Sequence, residues 1–181
     1  NAVAAIAIAH LNGVTDEEIR KSVLSFKGVD RRFDFKVVTD KVVYLSDYGH
    51  HPVEVLESIK SVRKMFIDNG QFKKLTVAFQ PHLFSRTKDF YKEFAEALSL
   101  ADELILLDIF PAREEPIEGV TSKLIFDNVD QKVKKEMCQK NDLVNLIKSK
   151  DIEVLVTLGA GDIDNLSPQI TEVLRKKFNI I

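Results

Sequence analysis

The sequence predicts an α/β fold: a mostly parallel sheet with helices on both faces and an antiparallel hairpin strand at its start. Short apolar segments at 75–79, 104–109 and 154–158 alternate with longer segments whose apolar residues recur with helical period. Strands this short and apolar are typical of parallel sheets covered on both faces. The polar turn at 39–41 joins two earlier extended segments and predicts a hairpin. Together these features indicate a Rossmann-like domain.

Two domains are predicted, a helical arm at 1–28 and the sheet domain at 29–181. The arm begins with the alanine-rich segment 2–12, which predicts a buried helix ending at Gly13, a residue type favoured at helix ends. This segment could pass for the apolar part of a secretory signal. It has no basic leader, however, so a helix is the favoured interpretation.

The other elements follow in chain order. Thr15 and Glu18 match the pattern of a capping box, which predicts a second arm helix at 16–26. Pro52 suits the first turn of the helix that follows the hairpin. The remaining patterns predict strands at 33–38, 42–45, 75–79, 104–109 and 154–158, with a weak one near 133. They predict helices at 52–67, 87–100, 120–128, 142–150 and 167–178.

Composition and charge argue against several classes of partner. The 181 residues carry a formal net charge of -2, which gives no reason to expect nucleic acid or an anionic membrane as partner. No apolar run reaches the length that spans a bilayer. The lone Cys138 excludes an internal disulfide and is typical of a reducing compartment, so a cytoplasmic location is expected. Cys138 itself is expected in a polar helix-loop region away from any site.

Polar loops follow four of the predicted strands. In an open parallel sheet, ligands bind beyond the carboxyl ends of the strands. Three of the four histidines and several charged or glycine residues fall in these loops, at 46–52, 80–86, 111–119 and 159–162. Because the four loops would share one edge of the sheet, we expect a binding site there.

The histidines of these loops also have plainer interpretations. The pair His50-His51 is as consistent with a solvent-facing turn as with a site, since histidine serves both roles. His50, His82 and Asp162 are of metal-ligand type, but their spacing matches no metal motif. No metal site is therefore expected in this chain.

The other loop residues are equally open. Arg86 is consistent with a surface ion pair of little energetic value. Gly159-Ala160-Gly161 lacks the third glycine of a dinucleotide motif and fits a tight turn, and Glu114-Glu115 is typical of a solvated loop. There is no G-x-S-x-G nucleophile motif. There is no Walker phosphate loop either, which argues against a kinase-like or ATPase activity confined to this chain.

Taken together, these motifs resemble those of the Mur ligases, the amino-acid ligases of peptidoglycan synthesis. Their order and spacing are similar throughout the chain to the member that joins L-alanine to UDP-N-acetylmuramate. The residues that carry the resemblance are Asp47-Tyr48-Gly49-His50-His51-Pro52, Phe79-Gln80-Pro81-His82 with Ser85-Arg86-Thr87, the run 111–119, and Gly159-Ala160-Gly161-Asp162.

The resemblance implies an enzyme of three domains, in which this chain matches the third domain and the end of the central one. It implies ATP and Mg²⁺ as cofactors, held mainly by the other two domains, with UDP-N-acetylmuramate and L-alanine as the remaining substrates. The implied reaction passes through an acyl phosphate and needs no covalent enzyme intermediate. The chain by itself is therefore expected to be inactive.

The resemblance also implies roles for individual residues. Those expected to bind the nucleotide are Asn1, Arg32 and Asp47. Those expected to face the alanine or the muramyl carboxyl are Tyr48, His50, His82 and Arg86, and the last three are expected to take part in catalysis. Leu83 stands where the family often has arginine, which leaves more of the carboxylate recognition to Arg86.

Two other functions stay open at this point. A recycling ligase would add a whole peptide to the same sugar, although the segment 79–87 argues against it. A stand-alone α/β module would bind a nucleotide or an anion at the carboxyl edge of the sheet.

Overall fold

The computed structural model describes residues 2–26 and 28–180, which form a six-stranded sheet and seven α-helices. The strands are β1 (Asp34–Val38), β2 (Val43–Asp47), β3 (Leu75–Phe79), β4 (Glu103–Leu107), β5 (Lys134–Cys138) and β6 (Val154–Leu158). The helices are α1 (Ala2–Leu11), α2 (Asp16–Ser25), α3 (Pro52–Val62), α4 (Phe84–Leu98), α5 (Lys123–Asn128), α6 (Leu143–Ser149) and α7 (Ser167–Phe178). A π-helical turn, Arg63–Ile67, continues α3.

The sheet has the strand order β1-β2-β6-β3-β4-β5. Strand β1 is antiparallel to β2, and all the other neighbours are parallel, so the predicted fold class is confirmed. The chain adds β3, β4 and β5 in one direction and then returns to insert β6 between β2 and β3. Because crossovers of parallel strands are right-handed, this reversal places α6 on the opposite face from α3, α4 and α5, and α7 packs on the same face as α6.

Apolar side chains cover both faces of the sheet. In β2, Val43 and Leu45 belong to the core cluster on the face of α3, α4 and α5. Tyr44 lies between them in sequence and belongs to the cluster on the face of α6 and α7. This alternation follows from the two-residue period of a strand. All five residues of β3, β4 and β6 are buried, which explains why these strands lack a polar face in the sequence.

Two predictions about the second half of the fold need correction. Helix α4 begins at Phe84, three residues before the predicted start, so Ser85 and Arg86 lie in its first turn and not in a loop. Cys138 was expected in a helix-loop region away from the site, but it is the last residue of β5 at the carboxyl edge. This edge strand was hard to predict because it is paired on one side only, and its lysines and Glu136 hide the strand pattern.

The arm has the predicted helices but not the predicted burial. Thr15 and Glu18 form the expected capping box at the start of α2. No residue of α1 is buried, and Val3 and Leu11 are 80% and 82% exposed, so the expectation of a buried first helix is wrong for the described chain. The apolar composition of α1 therefore does not serve the core of the sheet domain. None of the described helices is long and apolar enough to cross a bilayer.

A buried phenol joins the sheet to the start of α7, and it carries a test of the core. Tyr44 Oη lies 3.2 Å from Thr157 Oγ1 and 3.1 Å from Ser167 Oγ, and burial raises the pKa of Tyr44 to about 12. Tyr44→Phe leaves these two hydroxyls without their partner, so we expect a loss of about 1–2 kcal/mol in the free energy of unfolding. Chemical denaturation measures the free energy of unfolding of this variant, with Tyr91→Phe on α4 as the control. An unchanged unfolding free energy would contradict this role.

Candidate functional site

The four polar loops meet at the carboxyl edge of the sheet. Backbone hydrogen bonds join them directly: the Gln80 amide donates to Leu158 O at 3.0 Å, and the Gly159 amide donates to Asp47 O at 3.2 Å. The Leu83 amide donates to Phe110 O at 3.0 Å. The loops that follow β2, β3, β4 and β6 therefore form one continuous surface, as expected from the parallel order of these strands.

A small cavity lies beside Asp47. Asp47 Oδ1 accepts hydrogen bonds from the amides of Phe33 at 3.1 Å and Tyr48 at 2.9 Å, which orients the carboxylate. The cavity has a volume of about 270 Å³ and is lined by Arg32, Phe33, Asp47, Gly49, Glu54, Glu57, Ser58 and Ser61. A Cβ at Gly49 would lie 3.4 Å from Asp47 Oδ2, so the glycine keeps this side of the carboxylate uncrowded.

The lining of this cavity also contains an unsatisfied polar atom. Ser58 Oγ is buried and has no hydrogen-bond partner within the described chain. A buried hydroxyl of this kind usually has a partner, so an added polar group in the cavity would satisfy it. Carboxylate, guanidinium and hydroxyl groups around a space of this size suit a sugar or another small polar group.

A row of aromatic and basic side chains continues from this cavity along the edge. The ring centroids of Tyr48 and His50 are 5.0 Å apart, and those of His50 and His82 are 6.0 Å apart. Arg86 Nη1 lies 3.4 Å from His82 Nδ1. The first turn of α4 thus brings Arg86 beside the histidine that precedes the helix. The structure places Asp47, Tyr48, His50, His82 and Arg86 along one edge, while their roles remain predictions.

The two central histidines differ in their surroundings. His50 Nδ1 lies 3.0 Å from Tyr48 O and 3.3 Å from Glu54 Oε2. His82 stacks on Phe110 with centroids 5.7 Å apart. Burial lowers the pKa of His82, and the positive charge of Arg86 and the neighbouring His50 lower it further. A lowered pKa favours the neutral imidazole near neutral pH, in which one ring nitrogen can accept a proton.

His51 was interpreted either as a turn residue or as a site residue, and the structure gives it a role in a turn. Its Nδ1 accepts the Val53 amide at 3.4 Å, and Glu54 Oε2 accepts the His51 amide at 3.1 Å, so the two residues form a capping box at the start of α3. Burial raises the pKa of Glu54, but the hydrogen bonds from the His50 and His51 amides outweigh it and lower the pKa overall. The charged Glu54 therefore holds the turn that carries His50.

Glu114 also organises a helix start, which corrects its assignment as a merely solvated loop residue. Its carboxylate accepts the Ser85 amide at 3.0 Å and the Ser85 hydroxyl at 2.5 Å, and these bonds lower the pKa of Glu114. Leu83 precedes α4 with φ 75 and has no side-chain capping bond, so Glu114 supplies an acceptor that the local sequence lacks. The loop after β4 thereby stabilises the turn that carries Arg86.

The glycine loop after β6 is set by close packing. A Cβ at Gly161 would lie 2.5 Å from Gln80 Oε1 and 2.7 Å from Phe110 Cγ, and Gly159 has φ 147. Gln80 is buried; its side chain accepts the Ile163 amide at 2.9 Å and donates to Asp162 at 2.8 Å. The tight-turn interpretation of these glycines is therefore correct, and the turn belongs to the wall of the site.

Asp162 is paired and does not form a metal site with the histidines. Burial raises its pKa, but the hydrogen bonds from Lys140 and Gln80 outweigh this and lower the pKa overall. Within residues 2–26 and 28–180, no group of three or more histidine, cysteine, aspartate or glutamate residues could hold a metal ion.

Asn1, expected to approach the nucleotide, lies outside the described residues.

One charged residue of the site was missed by the sequence interpretation. The Arg31 guanidinium donates to Gly161 O at 3.0 Å and lies 4.8 Å from the centroid of the Tyr48 ring. The neighbouring Arg32 guanidinium lies 5.5 Å from the same centroid. The pair Arg31-Arg32 was visible in the sequence, but which of the two would contact the glycine loop depends on the backbone between the arm and the sheet.

The fold is an α/β domain, and its candidate site lies at the carboxyl edge of the sheet. The chain belongs to the Mur ligase family, because the family model described as "Mur ligase, glutamate ligase domain" matches residues 31–161. These residues include all four loops of the edge up to Gly161. The family suggested by the motifs is therefore confirmed.

The names of similar proteins are consistent with membership of this family. The UDP-N-acetylmuramate--L-alanine ligase of Phocaeicola vulgatus is 59% identical over 177 residues, which are 98% of this chain and 38% of that relative. The chain thus spans well under half of the relative's length. A murein peptide ligase from Psychrobacter arcticus has a TM-score of 0.63 at 19% identity, covering 99% of this chain and 36% of that one. The MurF ligase of Thermotoga maritima, solved with ADP, has a TM-score of 0.60 at 17% identity, covering 97% and 37%. The two structures support the fold alone.

The surroundings of His82 carry a pH prediction. Because its pKa is lowered, we expect its ring to titrate below the range of an ordinary histidine, and Arg86→Ala to move the midpoint upward. Ring proton shifts followed by NMR against pH measure both midpoints, with a blocked histidine peptide in the same buffer as the reference. A His82 midpoint at or above that of the peptide would contradict this electrostatic environment.

Proposed function

We propose that this chain is the carboxyl-terminal domain of a cytoplasmic, ATP-dependent ligase that joins L-alanine to UDP-N-acetylmuramate. The observation that carries the proposal is the row of Asp47, Tyr48, His50, His82 and Arg86 along one edge, in a chain 59% identical to a relative of that name. The row combines a carboxylate for a sugar with imidazole and guanidinium groups for an amino acid. In this proposal the domain completes an active site whose other parts lie in the remaining domains.

The cavity beside Asp47 is the proposed place for the ribose of ATP. Asp47 Oδ1 is already held by two backbone amides, so its other oxygen is free to accept ribose hydroxyls. Arg32 lines the same cavity and supplies positive charge toward a nucleotide. The Thermotoga maritima MurF ligase, 37% of which this chain covers, was solved with ADP, which supports proposing a nucleotide as a ligand.

The basic end of the row is the proposed place for L-alanine. Arg86 can hold a carboxylate through two parallel hydrogen bonds. His82 is beside it with a lowered pKa, so the neutral ring can take a proton from the attacking ammonium group. His50 faces both Tyr48 and His82 and would orient the amine or the muramyl carboxyl. The recognition of carboxylate rests on Arg86, since Leu83 offers no charge.

The proposed chemistry has two steps. The muramyl carboxylate attacks the γ-phosphorus of ATP, forming an acyl phosphate and releasing ADP. The alanine amine then attacks the acyl carbon, loses a proton, and releases inorganic phosphate. This chain's residues would hold and orient the reactants and keep water from the acyl phosphate when the domain closes. Mg²⁺, which would neutralise phosphate charge, has no ligand cluster in the described part of this chain and is assigned to the other domains.

The first consequence concerns the chain alone. We expect no alanine-dependent release of phosphate from ATP by purified residues 1–181, because phosphate and magnesium binding are assigned to other domains. A phosphate-release assay with UDP-N-acetylmuramate and L-alanine tests this against the full-length enzyme. Turnover by residues 1–181 would refute the assignment, and calorimetric binding of ATP to these residues at micromolar affinity would instead favour a stand-alone module.

The second consequence concerns Arg86. In the full-length enzyme we expect Arg86→Ala to raise the KM for L-alanine about 10- to 100-fold, the value of a charged hydrogen bond, while the KM for ATP changes little. Steady-state kinetics measure both constants, and Arg175→Ala, an exposed arginine on α7, is the matched control. Wild-type constants in Arg86→Ala would remove this residue from the site. The same kinetic constants measured for His50→Ala and His82→Ala compare the contributions of the two imidazoles.

A further inference from the structure

The Arg31 side chain joins three parts of the site that are far apart in sequence. Its Nη2 lies 3.0 Å from Gly161 O and 3.4 Å from Gly159 O, which ties it to the loop after β6. Its Nε lies 3.2 Å from Asp164 Oδ2. Its guanidinium carbon lies 4.8 Å from the centroid of Tyr48, which belongs to the loop after β2. With 32% of its side chain exposed, Arg31 is held between these groups and not extended into solvent.

The strained backbone around Arg31 requires contacts that hold it in place. Arg31 has φ 63 and Phe33 has φ 50, a conformation that side chains other than glycine seldom adopt. Strained residues of this kind persist only where the surrounding contacts hold them. The Arg31 amide donates to Asp34 Oδ2 at 3.3 Å, and the Phe33 amide donates to Asp47 at 3.1 Å. The segment 31–33 is thus held at both ends, with Arg32 between them.

We propose that Arg31 is a positioning residue that links the nucleotide half of the site to its amino-acid half. It anchors segment 31–33, and with it Arg32, to the glycine loop, and it holds Tyr48 in place through the same guanidinium. This inference rests on the proposed function, because the two halves are defined by it. Arg31 itself contacts neither substrate; it acts through Arg32 and Tyr48.

The geometry calls for a guanidinium and not merely a positive charge. Two carbonyl oxygens accept hydrogen bonds from Nη2, the Asp164 carboxylate forms an ion pair with Nε without a hydrogen bond, and the guanidinium carbon lies over an aromatic ring. A lysine ammonium is a single donor group, so it can reach the two carbonyl oxygens or Asp164, but it cannot keep both contacts and cover the Tyr48 ring at the same time. Arg31→Lys therefore separates the effect of shape from the effect of charge.

The kinetic test uses the full-length enzyme with Arg31→Lys, Arg31→Ala and the control Arg175→Ala. We expect both Arg31 variants to raise the KM for L-alanine and the KM for ATP about tenfold each, as for the loss of one charged contact, with the KM for UDP-N-acetylmuramate within about twofold of the wild type. A purely structural role would instead lower the amount of active enzyme, reduce kcat, and leave the KM values unchanged. Wild-type constants in Arg31→Lys would overturn the requirement for a guanidinium.

A second readout does not depend on activity. Hydrogen exchange of the full-length protein should show faster exchange in Arg31→Lys for peptides covering 29–34, 46–50 and 158–164, and no change in the π-helical turn Arg63–Ile67 or in α7. Asp164→Asn should reproduce the faster exchange at 158–164, and it replaces Arg31→Ala if that variant fails to fold. Unchanged exchange in these three peptides would overturn the proposal.

The two proposals fail in distinguishable ways. If the wild-type enzyme consumes ATP without dependence on L-alanine, the proposed function is wrong, and the exchange pattern still decides whether Arg31 links the three segments. If the wild-type enzyme uses L-alanine but Arg31→Lys matches it in both KM and exchange, the function stands and the positioning role is wrong.

Discussion

The insertion of β6 between β2 and β3 is the constraint on which the site depends. Leu158, the last residue of β6, is in register with Asp47 of β2 and with Phe79 of β3. The three loops that follow these strands therefore begin at the same level of the sheet. Because β6 is hydrogen-bonded on both sides and all of its residues are buried, it cannot slip by one residue without exchanging the side chains of the two apolar faces. The alignment of the loops is thus maintained by the core.

The turns that begin α3 and α4 then set the positions of the side chains on this edge. The turn before α3 is closed by His51 and Glu54, which leaves His50 free to face the neighbouring loop. The turn before α4 has no capping side chain of its own and takes its acceptor from Glu114, two elements further along the chain. The two residues placed by these turns, His50 and Arg86, both lie beside His82. The positions of the basic groups therefore depend on capping interactions as much as on the sheet.

Charge along the carboxyl edge is arranged in two parts that meet at Tyr48. On one side, Asp47 and Arg32 surround the small cavity, and on the other, the histidines and Arg86 form the basic end. The Tyr48 ring contacts both parts, since the Arg31 and Arg32 guanidinium groups lie within 5.5 Å of its centroid and the His50 ring centroid lies 5.0 Å from it.

The sequence by itself determined the fold class, the order of the elements and the four loops that meet at the edge. It could do so because fully buried strands such as Val154–Leu158 are uniformly apolar, and amphipathic helices repeat their apolar residues with a fixed period. The resemblance of the loop motifs to the Mur ligases also required no structure. Only the tertiary structure decided that Arg86 lies on a helix, that His51 caps one, and that Glu114 supports the turn before α4. It likewise decided that Arg31 reaches Gly161, 130 residues away. These features depend on contacts between distant segments, and local sequence patterns do not record such contacts.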